Sequence, residues 1–596
     1  MGNVDLLSEI RAQDAALERR RVVLWIGAEP TFTDRHSQDA WWLGQAEGGE
    51  KEARARGLLV RIARRIAPGA QLVRARGRVY PGEDRPRFCY GALWERGAPA
   101  SGTSPSPEDA ARADEVRLAS GECDPVEPPA AAEDQAWLTV TPDPGVVEVN
   151  AAPAPDLTTF HAWNEAIYAA AADAGLSAIR YRYNGDRTDS GGGGQLTFGG
   201  PRPEASPFLA RPQLLPRMVR YFNHHPSLSY AFAPDCAGSA SQGPRPDEGV
   251  RERFDELTVT LDRLAARGDR VTPDELWMSL GPLLVDASGN SHRAELNVEK
   301  LWNPFFGPRG KLGLVELRSL RMPSTPARLT AVAALFRAVA ARLATAPFEE
   351  PLRDWGGALH DMFGLPWFLR SDLEAILEDL REHGLGLGHA LTAELLELPE
   401  PIARVELAGA TLEISRAQAF WPLLGDVASQ ERAGARLVDS SSSRLQLLVS
   451  VPRQESPGTV HACGWRVPLH APVSDPRRHV GSIVHRSFMP HPGLHPELPP
   501  IDPLVIHWER GREAVAVTLH GWRPTGGAYP GLPTDEAEAH ARRQERVSIA
   551  PARPAPSQSI RGATLTLDLR RTTGSGVSGA SPTLRGAARA DTLEVP

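Results

Sequence analysis

Lysine is nearly missing from this chain. Lys51, Lys300 and Lys311 are the exceptions among 66 basic residues, which face 74 Asp and Glu for a formal charge of −8. A basic surface dense enough to hold nucleic acid or an anionic membrane is therefore excluded as an organising feature. Cysteine is scarce too. Cys89, Cys123, Cys236 and Cys463 form no Cys-x-x-Cys pair, so neither a disulfide framework nor a cysteine zinc site is supported. No uninterrupted apolar run reaches the roughly 18 residues that a bilayer span needs. The opening segment, 1–21, reads as a charged amphipathic helix without the apolar core of a secretory signal, which makes the expected location cytoplasmic. Familiar catalytic signatures are missing as well. Gly307-Pro308-Arg309-Gly310-Lys311-Leu312 lacks the spacing and hydroxyl of a P-loop, and no Rossmann fingerprint, Gly-x-Ser-x-Gly or His-Glu-x-x-His is present.

What is present is 41% hydrophobic sequence spread over 596 residues, too long for one core, with Gly and Pro at 54 each marking many loops. Composition divides the chain after the first helix. Segment 22–96 opens with the strand-like run Val22–Ile26, leads into Gly27-Ala28-Glu29-Pro30-Thr31-Phe32, and continues with a helical pattern from Glu52 to Ile66. Segment 97–136 is rich in Ala, Pro, Ser and acids and reads as a disordered linker. Segment 137–398 mixes short strands (137–141, 145–150, 178–184, 195–198, 292–298 and 313–320) with helices of uneven length (158–174, 213–222, 250–267, 326–344 and 371–383). Without a regular βαβ beat, this predicts an α+β domain rather than a doubly wound sheet. Segment 400–533 is mostly strands, including a hairpin around Gly511, and predicts a β-rich domain of sandwich or barrel type. The remainder, 534–596, reads as a mostly disordered tail, and His479, His485, His491 and His495 read as loop-surface residues among prolines.

Three predicted strands carry acids. In a strand, residues two apart share a face. After the turn at Pro144-Gly145, Glu148 and Asn150 project opposite Val147 and Val149. In Gly289–Val298, Arg293, Glu295 and Asn297 project opposite Ala294, Leu296 and Val298. In Leu312–Leu320, Glu316 and Arg318 share their face with Leu314 and Leu320, so the pair is expected to be shielded from water, at a cost of several kcal/mol without partners. These patterns fit solvated strand faces or internal salt bridges. They also fit a sheet that holds Mg²⁺ through hard oxygen ligands, with arginines clamping phosphate. The glycine run Gly191-Gly192-Gly193-Gly194 before Gln195 allows backbone amides to approach phosphate, or makes a flexible hairpin loop.

With these stretches in view, the chain resembles the putative amidoligases, a large bacterial family catalogued as a domain of unknown function. Gly27–Phe32, Tyr80-Pro81-Gly82-Glu83, Thr141–Asn150, His225–Tyr230, Gly289–Glu295, Leu314–Arg318 and Val438-Asp439-Ser440-Ser441 carry the resemblance in order along the chain. It implies a core similar to glutamine synthetase and glutamate–cysteine ligase, a mixed or antiparallel sheet with helices, in which ATP phosphorylates a carboxylate and an amine displaces the phosphate. Gly145-Val146-Val147-Glu148 looks like that superfamily's Gly-x-x-Glu metal strand, and Glu316-Leu317-Arg318 like its Glu-x-Arg strand. The resemblance thus implies metal roles for Glu148 and Glu316, with Glu295 and Glu29 as further metal candidates. It implies catalytic phosphate contacts for Arg318 and Arg293, and nucleotide contact at Gly192, Gly193, Gly194 and Gln195. The implied cofactors are ATP and Mg²⁺. The implied partners are a small molecule or peptide or protein tail bearing a carboxylate and an amine, and a partner ligase or transglutaminase-like protein. Relatives continue the glycine run into Asn-His where this chain has Gln195, which keeps a second reading open: a relative impaired in catalysis that binds nucleotide or a partner protein. A metal-dependent amide hydrolase using the same carboxylates is a third.

Overall fold

The computed structural model describes residues 2–34, 49–68, 70–76, 88–95, 119–120, 135–143, 145–421, 423–426, 436–488, 499–554, 558–560 and 564–572. Its centre is a four-stranded antiparallel sheet in the order Trp25–Ala28, Leu196–Gly199, Val315–Leu317, Leu296–Asn297. One face is apolar throughout: Ile26, Ala28, Leu196, Phe198, Val315, Leu317 and Leu296 all join the largest core. Behind them lies the Pro326–Thr345 helix, N-capped by Thr325 and buried on nearly every side, as its Ala-rich sequence permits. The Gly2–Arg19 helix is tied in by Asp14, which accepts from the Leu157 and Thr158 amides at 2.8 and 3.0 Å and pairs with Arg337.

A second sheet flanks the first. Its order is Ala119–Ser120, Gln71–Arg76, Phe88–Glu95, Gln135–Asp143, Val146–Ala151, Thr31–Asp34, Leu176–Ser177. The chain crosses between sheets at Glu29-Pro30, where one strand ends at Ala28 and the next begins at Thr31. The Val146–Ala151 strand follows the same crossing: it pairs Glu148 with Thr31, its Val149 amide donates to Pro30 O at 2.9 Å, and Ala154 bridges Ile26. Alternation along it buries Val147 and Val149 against the Gly49–Ile66 and Leu157–Asp173 helices and leaves Glu148 on the opposite face.

The C-terminal region is a β-sandwich. Sheets of five strands each enclose a core containing Leu412, Leu447, Ile483, Ile506, Trp508 and Val517. The hairpin predicted around Gly511 is present as Leu504–Arg510 with Glu513–Leu519.

The structure corrects several expectations. Residues 534–572 are not simply a tail: Glu536–Glu545 is a helix N-capped by Asp535, Val547–Pro551 is the edge strand beside Glu513–Leu519, and Thr566–Asp568 joins the other sheet. The composition hid an alternating Val547-Ser548-Ile549 run that the neighbouring strand can accept. His479 and His485 lie within the Arg478–Arg486 strand rather than on a loop, and His485 is buried. His491 and His495 fall outside the described residues, as do 573–596 and all of the 97–136 linker except its Ala119–Ser120 strand and its last two residues. The 292–298 strand shrinks to Leu296–Asn297. Asp286 Oδ1 accepts from the Ser288 and Asn290 amides and Asn290 Oδ1 from that of His292, so side chains coil the chain into turns just before it.

Candidate functional site

The face of the central sheet opposite the large core is polar, and strand register arranges it in rows. One row runs Gly27, Thr197, Glu316, Asn297, each residue paired with the next across the ladder. The next row begins with Glu29, whose amide donates to Gln195 O at 3.1 Å, and ends where the Arg318 amide donates to Glu295 O at 3.1 Å. Paired residues share a face, so Glu316 and Asn297 stand side by side. The sequence alternation around Glu316 and Arg318 is borne out in this respect: both are buried, and Arg318 Nη1 donates to Glu316 Oε1.

Three acids act on one another here, Glu148 and Glu316 from strands of different sheets and Glu29 from the crossing between those sheets. Glu29 keeps part of its surface open to solvent, yet its carboxyl is held well above the usual carboxylate range. Desolvation is the largest cause, followed by the negative charges of Glu316 and Glu148, while Lys300 and Arg318 pull the other way. Glu148 is half-buried and accepts a hydrogen bond from Asn150 Nδ2 at 2.7 Å. Glu316 and Glu148 therefore both act on one carboxyl, at the point where the chain changes sheets. Lys300 was legible only as one of three lysines; here its carbonyl accepts from Leu312 and Leu314 at 3.0 and 3.3 Å, closing the loop between the two strands that carry Asn297 and Glu316.

Glu295 ends the second row by its backbone, but its side chain joins a different network, and Arg293 precedes the strand. The Glu295 carboxyl accepts from Ser229 Oγ and faces Arg245 at 3.9 Å, in a buried network with Asp247. Burial pushes its pKa up to about 7 against the pull of Arg245. It belongs to that network and not to the group around Glu29. Arg293 is half-buried in the turn before the strand, where alternation does not apply.

The glycine run is used mainly for close packing. Gly194 donates its amide to Glu29 O at 3.0 Å with φ of +84°, and a Cβ there would meet Arg321 O at 2.3 Å. A Cβ on Gly193 would strike Thr31, whose hydroxyl donates to Gly192 O and sits 2.7 Å from Ser190 Oγ. Gly192 alone of these three faces open space. Next to the run, Gln195 is buried with its Oε1 unpartnered.

The donors fit Mg²⁺ in kind: carboxylate oxygens and an unpartnered amide oxygen, with like charges that a cation would relieve. As they stand, no three His, Cys, Asp or Glu side chains among the described residues are gathered closely enough to hold a metal ion. In this arrangement the Glu316 carboxylate accepts from Arg318 and that of Glu148 from Asn150. Among the described residues no helix is long and apolar enough to cross a membrane.

An α+β core with a β-rich domain behind it, carrying acids and an arginine on one sheet face, defines the class. More particularly, a model of the family described as "Putative amidoligase enzyme" matches residues 5–101 and 108–570, and the chain belongs to that family, whose description is that of an enzyme joining groups through an amide bond. No curated protein matches the chain, and no solved structure does.

Proposed function

We propose that the protein is an ATP-dependent carboxylate–amine ligase working on the polar face of the central sheet. The observation that carries this reading is the carboxyl of Glu29, loaded by Glu316 and Glu148 and opposed by Lys300 and Arg318. Clustered like charges at a partly open position are costly unless a ligand relieves them. Glu29, Glu148 and Glu316 would hold Mg²⁺, with Gln195 Oε1 as a further oxygen. The ion would neutralise charge on the nucleotide phosphates. Arg318, braced by Glu316, meets the transferred phosphoryl with its remaining donors. Gly192 offers open backbone at the edge of the face. In the reaction, a substrate carboxylate oxygen attacks the γ-phosphorus and ADP leaves. The amine then attacks the acyl carbon, phosphate leaves, and the amine proton passes to solvent or to a nearby carboxylate. The substrate proposed, from the resemblance alone, is a peptide or protein tail as the carboxylate or amine donor, with a partner ligase or transglutaminase-like protein beside it.

A second reading, a relative that binds nucleotide or a partner without turnover, draws on Gln195 and on the glycine amide already committed to Glu29. One assay separates the two. Purified protein with Mg·ATP and pooled amino acids or peptides releases phosphate if it is a ligase, and Glu316→Gln reduces that release to background. Nucleotide binding with wild-type phosphate release at background selects the second reading.

A further inference from the structure

The polar face holds a residue that neither the sequence motifs nor the acid cluster assigns a task. Asn297 is 2% exposed and pairs directly with Glu316 across the ladder. Its Oδ1 accepts from the Glu299 amide at 2.8 Å. That bond fixes which end of the side chain is oxygen, because a backbone N–H requires an acceptor. The NH₂ end is then left buried with no partner. Beside it on the same face, the Nε of Arg318 is also buried and unpartnered. Buried donors are nearly always satisfied in folded proteins, and the exceptions call for an explanation. Here the two unsatisfied donors belong to the residues next to Glu316 on this face, one across the ladder and one two along the strand, and Lys300, three residues beyond Asn297, adds positive charge that reaches Glu29. Such a group of N–H donors and a cation matches an oxyanion rather than a metal.

We propose that Asn297 is a ligand-contacting residue of this site, its side-chain NH₂ donating to an anionic oxygen of bound substrate, alongside Arg318 Nε. The proposal rests on the reading of the face as an ATP-dependent ligase site. The shared chemistry is an oxyanion, supplied either by the nucleotide phosphoryl group or by the substrate carboxylate.

The test uses the full chain and two variants. Asn297→Asp keeps the shape and the acceptor for Glu299 but replaces the donor with a second oxygen. Asn297→Ser keeps a small polar group and covers the case in which the aspartate beside Glu316 fails to fold. Binding of a non-hydrolysable ATP analogue with Mg²⁺ is measured by calorimetry, and KM and kcat for ATP and for the carboxylate substrate by phosphate release. Losing a hydrogen bond to a charged oxygen predicts about a ten- to hundredfold effect. A loss in analogue affinity with a rise in KM for ATP assigns the phosphoryl group, and a rise in KM for the carboxylate alone assigns the carboxylate. Either supports the proposal when the variant melts within a few degrees of wild type. Variants that bind and turn over within about twofold of wild type overturn it, because that is the behaviour of a donor satisfied by water. A wild-type protein that neither binds the analogue nor releases phosphate overturns the ligase reading itself, and with it the role given to Asn297.

Discussion

At the scale of single residues, the chain stores electrostatic strain where a cation is proposed to bind. Glu29 is the clearest case. Because its folded pKa is raised, the folded chain keeps that proton at pH values where the unfolded chain has released it. Metal-free stability therefore falls as pH rises through the ordinary carboxylate range near about 4.3 and beyond. Glu29→Gln should remove that slope and raise the unfolding free energy at pH 7 in chelator by about 1 kcal/mol or more, the scale of relieving an unfavourable buried polar group. The same variant should lose the rise in melting temperature that Mg²⁺ gives wild type. Equal melting temperatures for the two proteins in chelator would count against the cluster. Arg318 is the reverse case. Arg318→Met leaves Glu316 buried without its partner and should cost about 3–5 kcal/mol in urea unfolding, much of it recovered by adding Glu316→Gln.

Which of these residues could be found without coordinates depends on how local their signal is. Glu316 and Arg318 announce themselves through leucines on the same strand face, and Glu148 through the turn that precedes its strand. Glu295 does not follow, because the strand that was to carry it begins only at Leu296, after turns held by Asp286 and Asn290. Its partners, Ser229 and Arg245, are remote in sequence and left no pattern to read. Lys300 had a signal of another kind, a lysine kept where nearly every other basic residue is arginine. Asn297 was visible on the strand face, but its unpartnered NH₂ appears only once every neighbour is placed.

Among the elements, the glycine run and one sandwich strand make opposite demands. Gly194→Ala places a side chain at φ of +84° and 2.3 Å from Arg321 O. Left-handed strain and overpacking together predict a loss of about 3 kcal/mol. Gly192→Ala meets no atom within 4 Å and should be tolerated within about 1 kcal/mol. Comparing their urea midpoints tests whether the run is built for packing. In the sandwich, His485 shares a strand face with the core residue Ile483, and burial lowers its pKa to about 4 despite the opposing charge of Asp502. A depressed imidazole pKa means that stability is present above about 6.5 and is lost as pH falls from there toward about 4. At pH 5 the loss should be up to about 2 kcal/mol relative to pH 7, and His485→Phe should flatten it. A pH-independent sandwich transition in wild type would contradict this.

For the whole molecule, the deciding contact joins the C-terminal region to the hairpin that leads into the glycine run. The strands Ile179–Tyr181 and Arg187–Asp189 form a hairpin whose turn, Tyr183 to Gly185, lies against the Glu536–Glu545 helix. Arg542 donates to Tyr183 O at 2.7 Å, Arg543 to Gly185 O at 2.6 Å, and Arg416 and Arg546 both pair with the buried Asp186. The chain leaves the hairpin through Asp189 and Ser190 into the glycines. Asp186→Ala should cost about 3 kcal/mol by stranding Arg546, split the unfolding of core and sandwich into separate steps, and lower phosphate release. A single unsplit transition at the wild-type midpoint would show that the contact carries no coupling.

Synthesis runs from the N-terminus, so all the strands that bear Glu29, Glu148 and Glu316 leave the ribosome long before the helix that grips the hairpin. The polar sheet face is thus laid early and its flanking hairpin locked late. Until residues 536–546 have emerged, the hairpin turn that leads into the glycine run lacks the contacts of Arg542, Arg543 and Arg546. A nascent or clipped chain ending before them would carry every acid of the site and still lack its finished shape.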